Sequence, residues 1–203
     1  MTSTQRLLRD VRACNLCAAH LEHGVRPVLQ FDPKARILIA GQAPGRKVHE
    51  SGVPFDDASG ERLRAWLGVD RDTFYDPERI AILPMGFCFP GTGRSGDLPP
   101  RSECAPAWRQ PLLDRLPELS CTFVIGSYAM AWHLSRLPLR VDGLDLGKPD
   151  VTATVRAHRA FAKHRITPLP HPSPRNNIWL RKNGWFEQQV LPLVRRRVRA
   201  ALR

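Results

Sequence analysis

Four of the five cysteines fall into two groups: Cys14 and Cys17, separated by two residues, and Cys88 and Cys104, separated by fifteen. Thiolates at such spacing on irregular segments suit a [4Fe–4S] cluster or a four-thiolate zinc site better than a disulfide in a reducing compartment. Cys121 sits inside an apolar run and reads as core. A second chemical stretch surrounds His171, where Pro170, Pro172 and Pro174 fix φ and remove backbone donors, so the imidazole emerges on a stiff chain. Downstream, Arg175, Arg181 and Lys182 alternate with Asn176, Asn177 and Asn183 and with Trp179 and Trp185. Cations, amides and flat rings in one segment suit nucleic acid.

The chain as a whole agrees with a polyanionic partner. Its 203 residues carry 31 Lys and Arg against 19 acids, a net charge of +12, which favours a steered, salt-sensitive encounter. Most of the cations are arginines, suited to bidentate phosphate contacts. No apolar stretch is long enough to span a membrane, and Met1 to Leu8 lacks the apolar run of a secretory leader, so a cytoplasmic, nucleoid-associated location is expected.

The elements that position these groups follow from periodicity. Leu7, Leu8 and Val11 predict a helix over 4–13 behind a Thr4 cap, feeding the first two cysteines. Arg36 to Ala40 predicts a buried parallel strand that opens into Gly41-Gln42-Ala43-Pro44-Gly45. His49 to Asp57 reads as a loop, and Ser59 as the cap of a helix carrying Leu63, Trp66 and Leu67. A strand is expected near Ile80 to Phe87, an unperiodic loop over 88–104 that needs an external staple, and a helix over Trp108 to Leu116. Cys121 to Ile125 and Ile166 to Leu169 predict strands, Gly126-Ser127 the start of a helix, and Val151 to Val155 a further strand. Trp185 to Leu202 predicts a basic closing helix with Pro192 as a kink or break. Alternation of short strands and helices without a repeat predicts one domain over 1–203, a three-layer α/β/α sandwich around a mostly parallel four-stranded sheet. The loops at 41–55, 84–90, 126–128 and 171–185 would then meet at one sheet edge.

These residues resemble the uracil-DNA glycosylase superfamily over nearly the whole chain. Gly41-Gln42-Ala43-Pro44-Gly45, followed by Gly52-Val53-Pro54-Phe55, is similar to the first motif of the iron–sulfur (family 4) branch, as is the order of the four cysteines. His171-Pro172-Ser173-Pro174-Arg175-Asn176 and Asn183-Gly184-Trp185 look more like the single-strand-selective monofunctional branch. The resemblance implies a monomeric base-excision enzyme that flips a damaged nucleotide out of DNA and hydrolyses its N-glycosidic bond. It implies a [4Fe–4S] cluster on Cys14, Cys17, Cys88 and Cys104, with zinc as the alternative. His171 would stabilise the departing base, Gln42 would orient water, Phe55 would stack on the base, and Gly41, Ala43, Ser173 and Asn176 would line the substrate site. Arg175 would act as a wedge, with Arg181 and Lys182 on the DNA backbone.

Three positions depart from the family pattern. Gln42 stands where the iron–sulfur branch usually has Glu, and Glu50, Asp56 and Asp57 are the nearby acids. Pro84 stands where the family usually has a uracil-reading Asn, which opens the pocket to hypoxanthine or xanthine. His49 stands where related chains often carry an acid, and a covalent or catalytically weak DNA binder on the same fold is the reading from a different class.

Overall fold

The computed structural model describes residues 1–94 and 96–203. Four strands form one parallel sheet: β1 (Ile37–Ala40), β2 (Ile80–Ile82), β5 (Cys121–Ile125) and β6 (Ile166–Leu169), in the order β2-β1-β5-β6. Between β2 and β5 the chain adds a two-stranded antiparallel hairpin, β3 (Thr92–Gly93) and β4 (Gly96–Asp97). Every residue of the four main strands is buried, as expected of a parallel sheet covered on both faces.

Alternation along β1 and β2 divides the core. Ile37, Ile39, Ile80 and Ile82 pack with Leu63 and Trp66 of α3 (Ala58–Leu67) and Val194 and Val198 of α9 (Leu191–Ala201). Leu38 and Ala81 face the other way, against Val11 of α1 (Ser3–Arg12) and Leu112 of α5 (Cys104–Leu113). The remaining helices are α2 (Arg46–Ser51), α4 (Arg71–Tyr75), α6 (Gly126–Leu134), α7 (Val151–Arg156) and α8 (Asn177–Lys182). The expected three-layer α/β/α sandwich is therefore present, with its sheet wholly parallel.

Both rims of the sheet are modified. Pro168 lies within β6, opposite Val124, and an edge strand is where the sheet tolerates a residue without an N–H. Beside β2, Gln30 and Ile82 exchange both backbone hydrogen bonds, at 3.0 and 2.8 Å.

Several local expectations are corrected. α1 is capped by Thr2, not Thr4: Thr2 Oγ1 accepts from the Gln5 N–H and Gln5 Oε1 accepts from the Thr2 N–H, a reciprocal capping box. α3 is capped by Asp57, not Ser59, with Asp57 Oδ1 accepting from Gly60 N–H at 2.9 Å. His49 to Ser51 close α2 instead of belonging to a loop. Val151 to Val155 is helical because Asp150 accepts the Ala153 N–H at 2.7 Å and the Thr154 hydroxyl donates to the Asp150 carbonyl, a local pull that outweighs the β-branched pattern. Pro192 sits in the first turn of α9, where no N–H is needed; the irregularity precedes it, as a π-helical turn over Phe186–Val190. The segment after Asn176 forms α8 where a loop was expected.

Candidate functional site

β1 runs into Gly41 to Gly45 and β6 into His171, so both loops leave the carboxyl ends of strands separated by β5. The chain moves outward from β1 to β2 and then returns to place β5 on the other side, a change of direction beside which open α/β sheets bind ligands. A cavity of about 310 Å³ opens at this edge, lined by Gly41, Gln42, Ala43, Phe55, Asp57, Pro84, Asp97, His171, Ser173 and Arg175 among others.

His171 is fixed from within its loop. Its Nδ1 accepts the Ser173 N–H at 3.2 Å, and its carbonyl accepts from Asn176 Nδ2 at 2.7 Å. A ring that accepts at Nδ1 carries its proton on Nε2 when neutral. Burial lowers the His171 pKa from its usual value, opposed by the Asp57 and Asp97 carboxylates, so the ring stays neutral at physiological pH. The result is a neutral N–H donor at the cavity.

Phe55 reaches the opposite wall through a strained turn. Its φ is +57°, a left-handed conformation for a bulky residue, and its carbonyl accepts from the Tyr75 hydroxyl at 3.2 Å. The turn lies so close to α3 that a Cβ at Gly60 would collide with the Phe55 carbonyl, so only glycine fits there. The Phe55 ring lies 3.4 Å from where a Cβ on Gly41, the residue after β1, would stand, so the ring packs against the start of the first-motif loop.

Two polar groups of the cavity, Asp57 and Asp97, and one behind its wall, Arg62, were not legible as such. Asp57, weighed above as a nearby acid, is half-buried and fixed as the α3 cap. Asp97, absent from the sequence expectations, comes from β4 inside the span between Cys88 and Cys104, and its Oδ2 lies 3.2 Å from a Cβ built on Gly45. Arg62, also missed, donates from α3 to the Ser173 carbonyl at 3.1 Å and to Asn177 Oδ1 at 2.8 Å. The Arg62 contacts span 111 and 115 residues of chain, beyond any local pattern.

The other expected site residues divide. Gln42 is half-buried at the cavity and donates weakly to the Leu98 carbonyl at 3.5 Å. Arg175 is exposed at the rim, packed over Gly96 of the hairpin so closely that a Cβ there would meet its guanidinium. Asn176 supports the His171 backbone and is absent from the cavity lining. Arg181 and Lys182 lie outside the cavity, exposed at the end of α8. His49 does not line it either; its ring centroid lies 5.9 Å from that of Phe89, with His23 nearby.

Pro84, at the wall where a base-reading amide was sought, has its carbonyl occupied as well. Arg109, 1% exposed, donates to the Leu83 and Pro84 carbonyls at 3.0 Å each and also to His133 Nε2. Burial pulls the Arg109 pKa down, but a guanidinium remains charged in protein interiors. Its neighbour His133 is held well below its usual range by burial and by that cation, and so serves as a neutral acceptor.

The four spaced cysteines converge on a separate, smaller cavity, together with Leu16, Leu21, Val25, Phe87 and Arg101. All four are free thiols. Trp108 Nε1–H donates to Cys14 Sγ at 3.1 Å and the Phe87 N–H to Cys104 Sγ at 3.4 Å. Arg101 reaches the sulfur of Cys17, and the backbone of Arg26 that of Cys88. Burial pushes Cys104 up to about 12 and raises Cys17 and Cys88, so as bare groups these stay protonated. Arg101 Nε is buried there without a partner. N–H donors on each sulfur and the free Nε–H of Arg101, whose other arm is paired with Glu103 at 2.6 Å, fit a thiolate-bound, electron-rich group. Among the described residues no three Cys, His, Asp or Glu converge as ligands of a single ion; the four thiols ring the cavity instead. Cys121, by contrast, is buried in β5 as core.

No described helix is long and apolar enough to cross a membrane. The sequence profile described as the Uracil DNA glycosylase superfamily matches residues 29–195. A Type-4 uracil-DNA glycosylase of Sulfurisphaera tokodaii is 23% identical over 141 residues, which cover 68% of this chain and 60% of that protein's length.

Proposed function

Because the chain belongs to the uracil-DNA glycosylase superfamily, we propose that it is a monofunctional DNA glycosylase that flips a deaminated base, uracil foremost, into the 310 Å³ cavity and hydrolyses its N-glycosidic bond. The observation that carries this reading is the neutral His171, its Nδ1 held by the Ser173 N–H, so that Nε2–H is the donor left for the base.

Bond breaking leaves negative charge on the base and positive charge on the sugar. His171 Nε2–H donates to the carbonyl oxygen where the negative charge grows, a preorganised interaction of the oxyanion-hole type. Phe55 stacks on the flipped ring. Asp57, with Oδ1 committed to Gly60, has Oδ2 to face the sugar cation, and Gln42 orients the attacking water. Arg175, braced by Gly96, fills the space the base vacates, while Arg181 and Lys182 meet phosphates. The small residues Gly41 and Ala43 let the first-motif backbone approach the nucleotide. Cys14, Cys17, Cys88 and Cys104 would hold a [4Fe–4S] cluster; its contribution is structural, tying the N-terminal segment to the hairpin-bearing span.

A second reading of substrate range is favoured by Pro84: it offers no N–H, and its carbonyl is taken by Arg109. That wall reads neither edge of a base, which supports excision of hypoxanthine or xanthine alongside uracil. One panel tests both readings: metal-loaded protein with uracil-, hypoxanthine- and xanthine-containing oligonucleotides, single- and double-stranded. Release of uracil with at least one purine supports the broad pocket. Uracil alone removes it, and no abasic sites on any substrate removes the glycosylase reading in favour of a non-catalytic DNA binder.

A further inference from the structure

Ser173 is used at both ends. Its N–H holds His171 Nδ1 at 3.2 Å, and its carbonyl accepts Arg62 Nη1 at 3.1 Å. The other arm of the same guanidinium, Nη2, holds Asn177 Oδ1 at 2.8 Å, at the start of α8. Among the described residues the other hydrogen bonds of residues 171–176 are local: Arg175 N–H to Ser173 Oγ, Asn176 N–H to the Ser173 carbonyl, and Asn176 Nδ2 to the His171 carbonyl. These shape the loop from within. Beyond it, Trp179 Nε1–H donates to Thr152 Oγ1 at 2.8 Å and ties α8 to α7, while Arg62 is the contact that ties the loop to α3, the helix whose N-cap is Asp57.

We propose that Arg62 is a positioning residue that sets His171 against Asp57, by clamping the residue that fixes the His171 ring to the helix that presents the Asp57 carboxylate. This inference rests on the glycosylase reading and adds a residue to it. The physical argument is one of stiffness. A planar guanidinium with two donors resists rotation as well as translation of what it binds, where a single contact would resist only one of them. Both acceptors are uncharged, so the clamp draws no proton from the reaction and does not titrate with it. Helix α3 is itself immobilised through Leu63, Trp66 and Leu67, all buried, so it offers a fixed frame. An error of about 1 Å between reacting groups costs on the order of 10²-fold in rate, so a clamp acting at one remove is expected to matter.

The test compares Arg62→Met, which keeps an apolar stem, Arg62→Lys, which keeps one donor, and Asn177→Ala, which removes one acceptor. Single-turnover excision at saturating enzyme is expected to fall roughly 10²-fold in R62M and only a few-fold in R62K and N177A, with affinity for undamaged DNA kept within about twofold. In an Asp57→Asn background the R62M loss should shrink, because the spacing being set no longer matters. Nitrogen-15 spectra of His171 should show one Nε2–H tautomer in the parent and a mixture in R62M. The proposal is overturned if all three variants excise at the parental rate, or if the rate loss is matched by weaker DNA binding and a salt slope reduced by about one, which marks a direct phosphate contact. If R62M does not fold, R62K and N177A decide alone. If the parent chain excises nothing, the glycosylase reading falls, and the His171 tautomer ratio still decides the role of Arg62.

Discussion

In the larger cavity each central group already has a protein partner: His171 has the Ser173 N–H, Asp57 the Gly60 N–H, and the Ser173 carbonyl has Arg62. In the thiol cavity the N–H donors are in place, but Cys104, Cys88 and Cys17 are pushed toward the protonated form and Arg101 Nε has no acceptor. The first site has its polar groups paired within the chain; the second has thiol donors and acceptors that match the [4Fe–4S] cluster proposed for it. Preorganisation by internal hydrogen bonds suits a site that must empty and refill at every turnover. A site whose donors wait for a permanent guest suits a group whose binding free energy is also folding free energy.

The largest effect should come from breaking the second region. Cys88→Ser is expected to abolish visible absorbance and to cost about 4 kcal/mol or more of stability, the range associated with loss of a metal site. Thermal melts with iron analysis check this; a stable variant that retains the chromophore would break the comparison. In the first region His171→Ala should slow single-turnover excision by about 10²- to 10³-fold with little change in melting, because the loop's other bonds remain.

A smaller effect separates the two regions by pH. Folding depresses the His171 pKa, so the ring contributes stability that is intact above its unfolded value and lost as pH falls, since below 6.5 the unfolded chain takes up a proton first. Excision, which follows the folded ring, should hold level from pH 8 through 6.5 and decline only at lower pH, as protonation at Nδ1 displaces the Ser173 N–H. The carboxylates facing His171 are Asp57 and Asp97, and Asp97→Asn should move the decline to lower pH, because removing a negative charge disfavours the cation. Smallest of all, Lys182→Gln should leave excision at saturation unchanged and reduce the salt slope of DNA binding by about one.

Legibility in the sequence followed the range of the interaction. β5 and β6 coincide with contiguous apolar runs, Cys121 to Ile125 and Ile166 to Leu169, because burial on both faces leaves no other pattern. Caps were displaced by two residues, Thr2 for Thr4 and Asp57 for Ser59, since several eligible side chains cluster at each helix start and only the backbone geometry selects one. The first motif and His171 were readable because glycine, proline and an isolated histidine mark the backbone locally, Phe55 only through the family resemblance, and the structure brings all three to one cavity. Asp97 and Arg62 were not, because their importance arises from contacts across the fold: one is delivered by a hairpin that shows no periodicity, the other looks like any arginine on a helix face. Asn176, assigned to substrate, turned inward to hold a carbonyl that no sequence pattern announces.

Pro168 in β6 and the Gln30 bridge beside β2 bear on behaviour in solution and not on chemistry. A parallel sheet with free rims is a template on which further chains can stack by backbone pairing. Here one rim lacks a donor in mid-strand and the other is already occupied at Ile82, so neither offers an unbroken ladder. Extension of the sheet by a second copy would have to begin from a strand without a mid-strand donor or displace the Gln30 bridge at the opposite rim.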